Sequence, residues 1–214
     1  HRSEDLGEII MQKTGRLELT WVGKYDEKVI EPRILLEDQS KSYGDLSSGN
    51  MLIHGDNLIA LQALQQDFAG KIKCIYIDPP YNTGSAFEYY DDGLEHSEWL
   101  QMIYPRVQLL HELLADDGFM CCHIDDSESH YLKCVLDEVF GRANYLTSFY
   151  VQVRYPNKTL AEDSDYQKVI EQVLIYAKDR YKAKVNRPTE EYSIEKFIWR
   201  VNELSAGTEV ELGN

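Results

Sequence analysis

Residues 74–93 read CIYIDPPYNTGSAFEYYDDG, and the change of texture inside this stretch decides the fold. Ile75-Tyr76-Ile77, preceded by Ile72-Lys73-Cys74, has the length and β-branched content of a strand. It runs directly into Asp78-Pro79-Pro80-Tyr81 and then into glycine, serine and aromatics, which marks a strand end opening into a loop. A strand so apolar at its end is expected to lie centrally in a parallel sheet, covered on both faces.

The pattern repeats outward from that strand. Upstream, Met51–His54 is expected as a short strand, and Gly55-Asp56 turns it into a helix with Leu58, Leu61 and Leu64 at helical spacing, ending near Phe68-Ala69-Gly70. Downstream, a helix is expected from about His96, with Trp99, Leu100, Ile103, Val107, Leu110 and Leu114 on one stripe, stopping at Asp116-Asp117-Gly118. Gly118–Ile124 reads as a third strand. A helix opens at Asp125-Asp126-Ser127-Glu128, turns Tyr131, Leu132, Val135, Leu136 and Val139 inward, and is capped by Gly141. Leu146–Arg154 and Ile170–Ala177 read as two further strands. Strands alternating with helices argue an open α/β sheet, in which ligands sit outside the carboxyl ends of the strands. The domain reading is an N-terminal arm and linker over 1–50, with a β-like patch at Leu17–Val22, an α/β region over 51–187, and a different module from 188 to 214.

Composition narrows the class. With 43% hydrophobic residues, 15 Tyr, 6 Phe and 3 Trp in 214 residues, the chain can bury one substantial core. No run approaches the ~18 apolar residues of a membrane span, and the N-terminus lacks a charged-then-apolar signal, so a cytoplasmic address and no membrane partner are expected. Cys74, Cys121, Cys122 and Cys134 stand inside apolar runs and are expected as reduced core thiols. His123 adjoins Cys121-Cys122, but neighbours on a strand face opposite sides, so no metal is expected. The net charge of −15 runs against a nucleic-acid grip, which needs cations. The basic candidates are Arg142, Arg154, Lys158 and the cluster Lys178, Arg180, Lys182, Lys184 and Arg187, each readable as a solvated surface or as a phosphate contact. The chain starts at His1, without methionine, and is expected to be a piece of something longer.

Asp78-Pro79-Pro80-Tyr81 has a chemistry of its own. A carboxylate and the carbonyl of Pro79 offer two acceptors able to converge on one –NH₂ group. Two prolines fix φ near −65°, so that geometry is set before a ligand arrives. Tyr81 adds a flat face. Two acceptors beside an aromatic platform describe a site for the exocyclic amino group of a planar base taken out of its stack.

These residues resemble amino-group DNA methyltransferases of the beta class, and the wider run is similar to the modification subunits of type III restriction-modification systems. The resemblance is carried by His54-Gly-Asp-Asn-Leu58, Tyr76-Ile-Asp-Pro-Pro-Tyr-Asn-Thr-Gly84, His96-Ser-Glu-Trp-Leu100, Tyr104-Pro-Arg106, Ile124-Asp-Asp126, Asp137-Glu-Val-Phe-Gly141 and Leu174-Ile-Tyr-Ala-Lys178, over roughly residues 15 to 214. It implies a Rossmann-like S-adenosylmethionine-dependent methyltransferase sheet with helices on both faces, incomplete in this chain. It implies catalytic roles for Asp78, Pro79, Pro80 and Tyr81 at the N6 amino group of a flipped adenine in double-stranded DNA. Asp56 and Asp78 become candidate cofactor contacts. Tyr81 and Asn82, with Phe87, Tyr89 and Tyr90 of the following loop, become candidate base contacts. A homodimer and a restriction (Res) subunit are the implied partners.

The family's Phe-x-Gly-x-Gly cofactor loop has no match in this sequence. Two alternatives therefore stay open: a cytosine-N4 DNA methyltransferase of the same architecture, and a non-catalytic fragment that serves dimerisation or partner binding.

Overall fold

The computed structural model describes residues 18–26, 31, 33–82, 95–153, 169–184 and 186. The chain divides into two units, His1–Ala183 and Lys184–Asn214, and every element below belongs to the first.

Helix α1 spans Asn57–Phe68. The carboxylate of Asp56 starts it by accepting from the backbone N–H groups of Leu58 (2.8 Å) and Ile59 (3.2 Å), a cap worth about 1 kcal/mol. Gly70 takes the left-handed turn at φ +69 and leads into strand β1, Ile72–Ile77. Helix α2, His96–Leu113, buries Trp99, Leu100, Ile103, Val107 and Leu110 as expected from the spacing, and Leu113 as well, but it ends before the expected Leu114 and Asp116-Asp117-Gly118. It passes without a loop into strand β2, Leu114–Ile124. Gly118 permits that: a Cβ there would stand 2.7 Å from the carbonyl oxygen of Ile72, so only glycine lets β2 approach the start of β1 this closely. Helix α3, Ser129–Leu136, continues as one wider π turn, Asp137–Gly141, and Gly141 leaves it at φ +83. Strands β3, Tyr145–Gln152, and β4, Ile170–Ala177, complete the described elements.

The sheet order is β1-β2-β4-β3, with β1 and β2 parallel and β4 antiparallel to both β2 and β3. Register pairs Ile75 with Met120, Ile77 with Cys122, Cys122 with Leu174 and Met120 with Tyr176. Ile75, Met120, Cys122, Ile124, Leu174 and Tyr176 form one buried face, closed by Trp99, Ile103 and Val107 of α2 and by Leu132, Val135 and Leu136 of α3. α1 lies farther out, contributing the half-buried Leu61, Leu64 and Phe68. The α/β class is the one read from the sequence.

Several local expectations are corrected. β1 is not a central strand covered on both faces. Among the described residues it is an edge, and Cys74 and Tyr76 (59% exposed) stand on its open side. Met51–His54 is irregular, with Leu52 fully out, because an isolated apolar run gains nothing from extension unless a neighbour completes its ladder. The patch at Leu17–Val22 forms no strand over its described residues, and Val22 enters a turn that runs to Tyr25. All four cysteines are free, but only Cys122 is a core thiol; Cys74 and Cys134 are exposed. Burial, followed by the neighbouring Cys74 thiol, pushes the Cys121 thiol up to about 11. Tyr131 is more than a third exposed rather than inward.

Candidate functional site

Parallel pairing places the carboxyl ends of β1 and β2 on the same edge of the sheet, and the antiparallel β4 brings its first residues there too. Asp78 to Asn82 follow β1, Asp125 to Glu128 follow β2, and Glu171 lies near the start of β4. His96 joins them from the first turn of α2.

The turn after β1 is gripped from beneath. Asp78 is exposed while Pro79 is buried. The indole Nε1 of the wholly buried Trp99 donates to the carbonyl of Pro80 at 2.7 Å. With φ already fixed at both prolines, one strong bond to the second carbonyl leaves the turn little freedom.

Tyr81 is held by its hydroxyl. It donates to Glu171 Oε2 at 3.1 Å. Burial, and then the Asp78 and Glu171 carboxylates, push its phenol far above the ordinary range, so it stays a neutral donor. Its ring is 6.2 Å from that of His123, tilted by 53°. His123 Nδ1 meets the Tyr76 hydroxyl at 2.9 Å. His123 Nε2 lies 2.8 Å from Glu171 Oε2, within ion-pair distance but off the hydrogen-bond direction.

A second group of contacts gathers on Glu128. This side chain is wholly buried, and its Oε1 accepts from Asn82 Nδ2 and from His96 Nδ1, each at 2.6 Å. Asn82 sits in the left-handed region at φ +59, the only non-glycine residue there among those described. The His96 ring packs at 5.0 Å on Tyr131. Asp125, also buried, accepts from the Ser127 backbone N–H at 2.8 Å in the turn ahead of α3; it does not cap that helix, whose cap position is Glu128 with no side-chain cap bond.

The structure thus brings together Asp78, Pro79, Pro80, Tyr81 and Asn82. Asp56, expected as a cofactor contact, uses its carboxylate to cap α1. Phe87, Tyr89 and Tyr90 lie outside the described residues, as do Arg154, Lys158 and Arg187. The remaining basic cluster is largely engaged within the protein. Lys178 donates to the carbonyls of His111 and Leu114, Arg180 to that of Ala143, and Lys182 pairs with Asp116 at 2.6 Å. Among the described residues no three His, Cys, Asp or Glu side chains are grouped to hold a metal ion.

Sequence reading missed Glu128, Glu171 and His96, and it treated Trp99 as core and His123 only as a metal candidate. The shared edge of two parallel strands could have pointed to the segment Asp125 to Glu128, though not to which of its carboxylates turns inward. Glu171 could not have been found, because its arrival depends on the antiparallel placement of β4.

Residues 72–208 match the model of a family described as DNA methylase. The probable type III restriction-modification enzyme HindVI Mod subunit of Haemophilus influenzae is 37% identical over 150 residues, covering 70% of this chain and 20% of that protein. The type III enzyme StyLTI Mod subunit of Salmonella typhimurium is 37% identical over 161 residues, covering 62% of this chain and 24% of its own length. The type III enzyme EcoPI Mod subunit of Escherichia phage P1 is 33% identical over 202 residues, covering 76% and 30%. The chain therefore spans 20–30% of the length of these relatives.

Proposed function

This chain belongs to the DNA methylase family, and from that premise we propose that it carries the base-binding part of a site that methylates the N6 amino group of adenine in double-stranded DNA, within the modification subunit of a type III restriction-modification system. The observation that carries the reading is the Asp78–Tyr81 turn, standing at the carboxyl edge of the sheet and pinned through Pro80 by Trp99.

The chemistry follows from what an aromatic amine lacks. Its nitrogen lone pair is drawn into the ring, so it is a poor nucleophile. Asp78 and the Pro79 carbonyl would accept its two hydrogens, raise electron density on nitrogen and fix its direction of attack. Tyr81 would support the flipped base from one face. S-adenosylmethionine supplies an electrophilic methyl group on a cationic sulfur. The residues present fit such a donor: the carboxylates of Asp78 and Glu171, both reaching solvent, make this edge acidic, which suits a ligand with a cationic sulfur and a cationic amino group. Asp78, as the exposed carboxylate, would face it. Once the nitrogen has gained a methyl group it must shed a proton, and Asp78 would take it.

The relatives' description as Mod subunits of type III restriction-modification enzymes supports a restriction subunit as partner, and a homodimer is part of the same proposal. No helix among the described residues is long and apolar enough to cross a membrane. Action on DNA in a restriction-modification system supports a cytoplasmic place of work.

The test is product identification. Unmethylated DNA is incubated with methyl-labelled S-adenosylmethionine and the longest polypeptide containing this chain, then digested to nucleosides. Label is expected in N6-methyl-2′-deoxyadenosine. Label in N4-methyl-2′-deoxycytidine instead would overturn the choice of base.

A further inference from the structure

Glu128 lies outside the four-residue turn, yet its contacts reach that turn from two sides. Its carboxylate is wholly buried, and one oxygen receives both Asn82 Nδ2 and His96 Nδ1 at 2.6 Å. The other oxygen, also buried, has no hydrogen-bond partner. A carboxylate kept in that state is costly to bury, so something must be gained by placing it there.

The gain is visible in what it holds. Asn82 directly follows Tyr81 and occupies the left-handed region, which asparagine tolerates better than other residues with a Cβ, and the bond to Glu128 holds its side chain there. His96 opens α2 three residues before Trp99, whose indole holds the Pro80 carbonyl. Glu128 thus fixes the far end of the turn directly, and it fixes the helix start that carries the anchor of the turn's middle.

We propose that Glu128 is a positioning residue for the Asp78–Tyr81 turn: it touches no substrate but sets where the Asp78 carboxylate and the Tyr81 ring stand. The proposal rests on the methyl-transfer reading of that turn. What it requires of Glu128 is an acceptor oxygen at Oε1, not a negative charge.

Two readouts test it. The first is the ¹⁵N–¹H resonance of the Trp99 indole in this 214-residue chain, assigned with Trp99→Phe, which reports the bond to Pro80 without any activity. The second is methyl transfer by the longest polypeptide containing the chain. Glu128→Gln keeps the acceptor oxygen, so the resonance should stay in place and kcat should stay within about threefold. Glu128→Ala should move or broaden the resonance and lower kcat by about 100-fold, with the Kd for S-adenosylmethionine little changed. Adding Glu128→Ala to Asn82→Gly should cost far less than Glu128→Ala alone, because both act on one turn.

A folded Glu128→Ala chain with an unmoved resonance and unchanged kcat would overturn the proposal, as would full additivity with Asn82→Gly. If Glu128→Ala does not fold, Glu128→Gln decides: a displaced resonance there means that charge, not the acceptor, matters, and the proposal fails. If the wild type labels no adenine, the reading of the site fails, while the resonance still tells whether Glu128 sets the turn.

Discussion

Trp99 and Pro80 are joined by a single hydrogen bond, in which a fully buried indole N–H reaches the second proline carbonyl of the strand-end turn over 2.7 Å. A side chain that looks like core packing is thus also the anchor of the site. Trp99→Phe keeps much of the ring volume but leaves that carbonyl without its donor. It should destabilise the chain by about 1–3 kcal/mol. Trp99→Leu adds a cavity and should cost more, about 3–5 kcal/mol. Urea unfolding followed by circular dichroism checks the order. A neutral Trp99→Phe would show that the bond contributes packing only.

The Tyr81 hydroxyl donates to Glu171, which holds the ring beside the strand-end turn. Tyr81→Phe retains the platform and gives up only that bond, so the Kd for DNA should stay within about threefold. Tyr81→Ala removes the platform and should weaken binding by roughly 1–3 kcal/mol. A Tyr81→Phe protein as impaired as Tyr81→Ala would contradict the stacking role.

His111 gives a pH signature. Burial first, and then the Lys178 ammonium, hold its imidazole below the ordinary 6.5, and its ring packs edge-on to Phe140 at 4.8 Å. A base with a lowered folded pKa is protonated first in the unfolded chain. Its contribution is therefore complete above the unfolded value and is lost as pH falls through 6.5 and below. Thermal melts at pH 7.5 and 5.5 should show a larger drop for the wild type than for His111→Asn. Equal drops would exclude the effect.

Lys24 holds the 18–26 segment to the core. Its side chain is 1% exposed, with Nζ 2.8 Å from both Glu18 and Glu138 and 2.7 Å from the Leu19 carbonyl. Burial works against its charge, but the two glutamates outweigh it and raise its pKa. Lys24→Met would leave the buried Glu138 without its cation and should cost about 3 kcal/mol in urea unfolding. Adding Glu138→Gln should recover part of that loss. A cost below about 0.5 kcal/mol would class the cluster with ordinary surface pairs.

What could be read from the sequence was local. The Ile72–Ile77 strand, the turn after it and the stripe from Trp99 to Leu110 each declare themselves within a dozen residues, through composition and period. The assembly of the edge was not local. Glu171 reaches Tyr81 only because β4 lies antiparallel beside β2. Glu128 was hidden among acidic residues that read as a helix start, and nothing in Asp-Asp-Ser-Glu says which carboxylate turns inward. Met51–His54 shows the opposite failure: an apolar run has strand character, but becoming a strand requires a neighbour.

The most direct measurement of the central claim is methyl transfer to adenine by the Asp78→Ala protein, made in the longest polypeptide that contains the chain and compared with wild type at matched folding. Because Asp78 stands exposed at the carboxyl edge, its loss should leave the fold intact. N6-methyl-2′-deoxyadenosine should fall to background while the melting temperature holds. Methylation retained by a folded Asp78→Ala protein would remove Asp78 from the chemistry and contradict the site described.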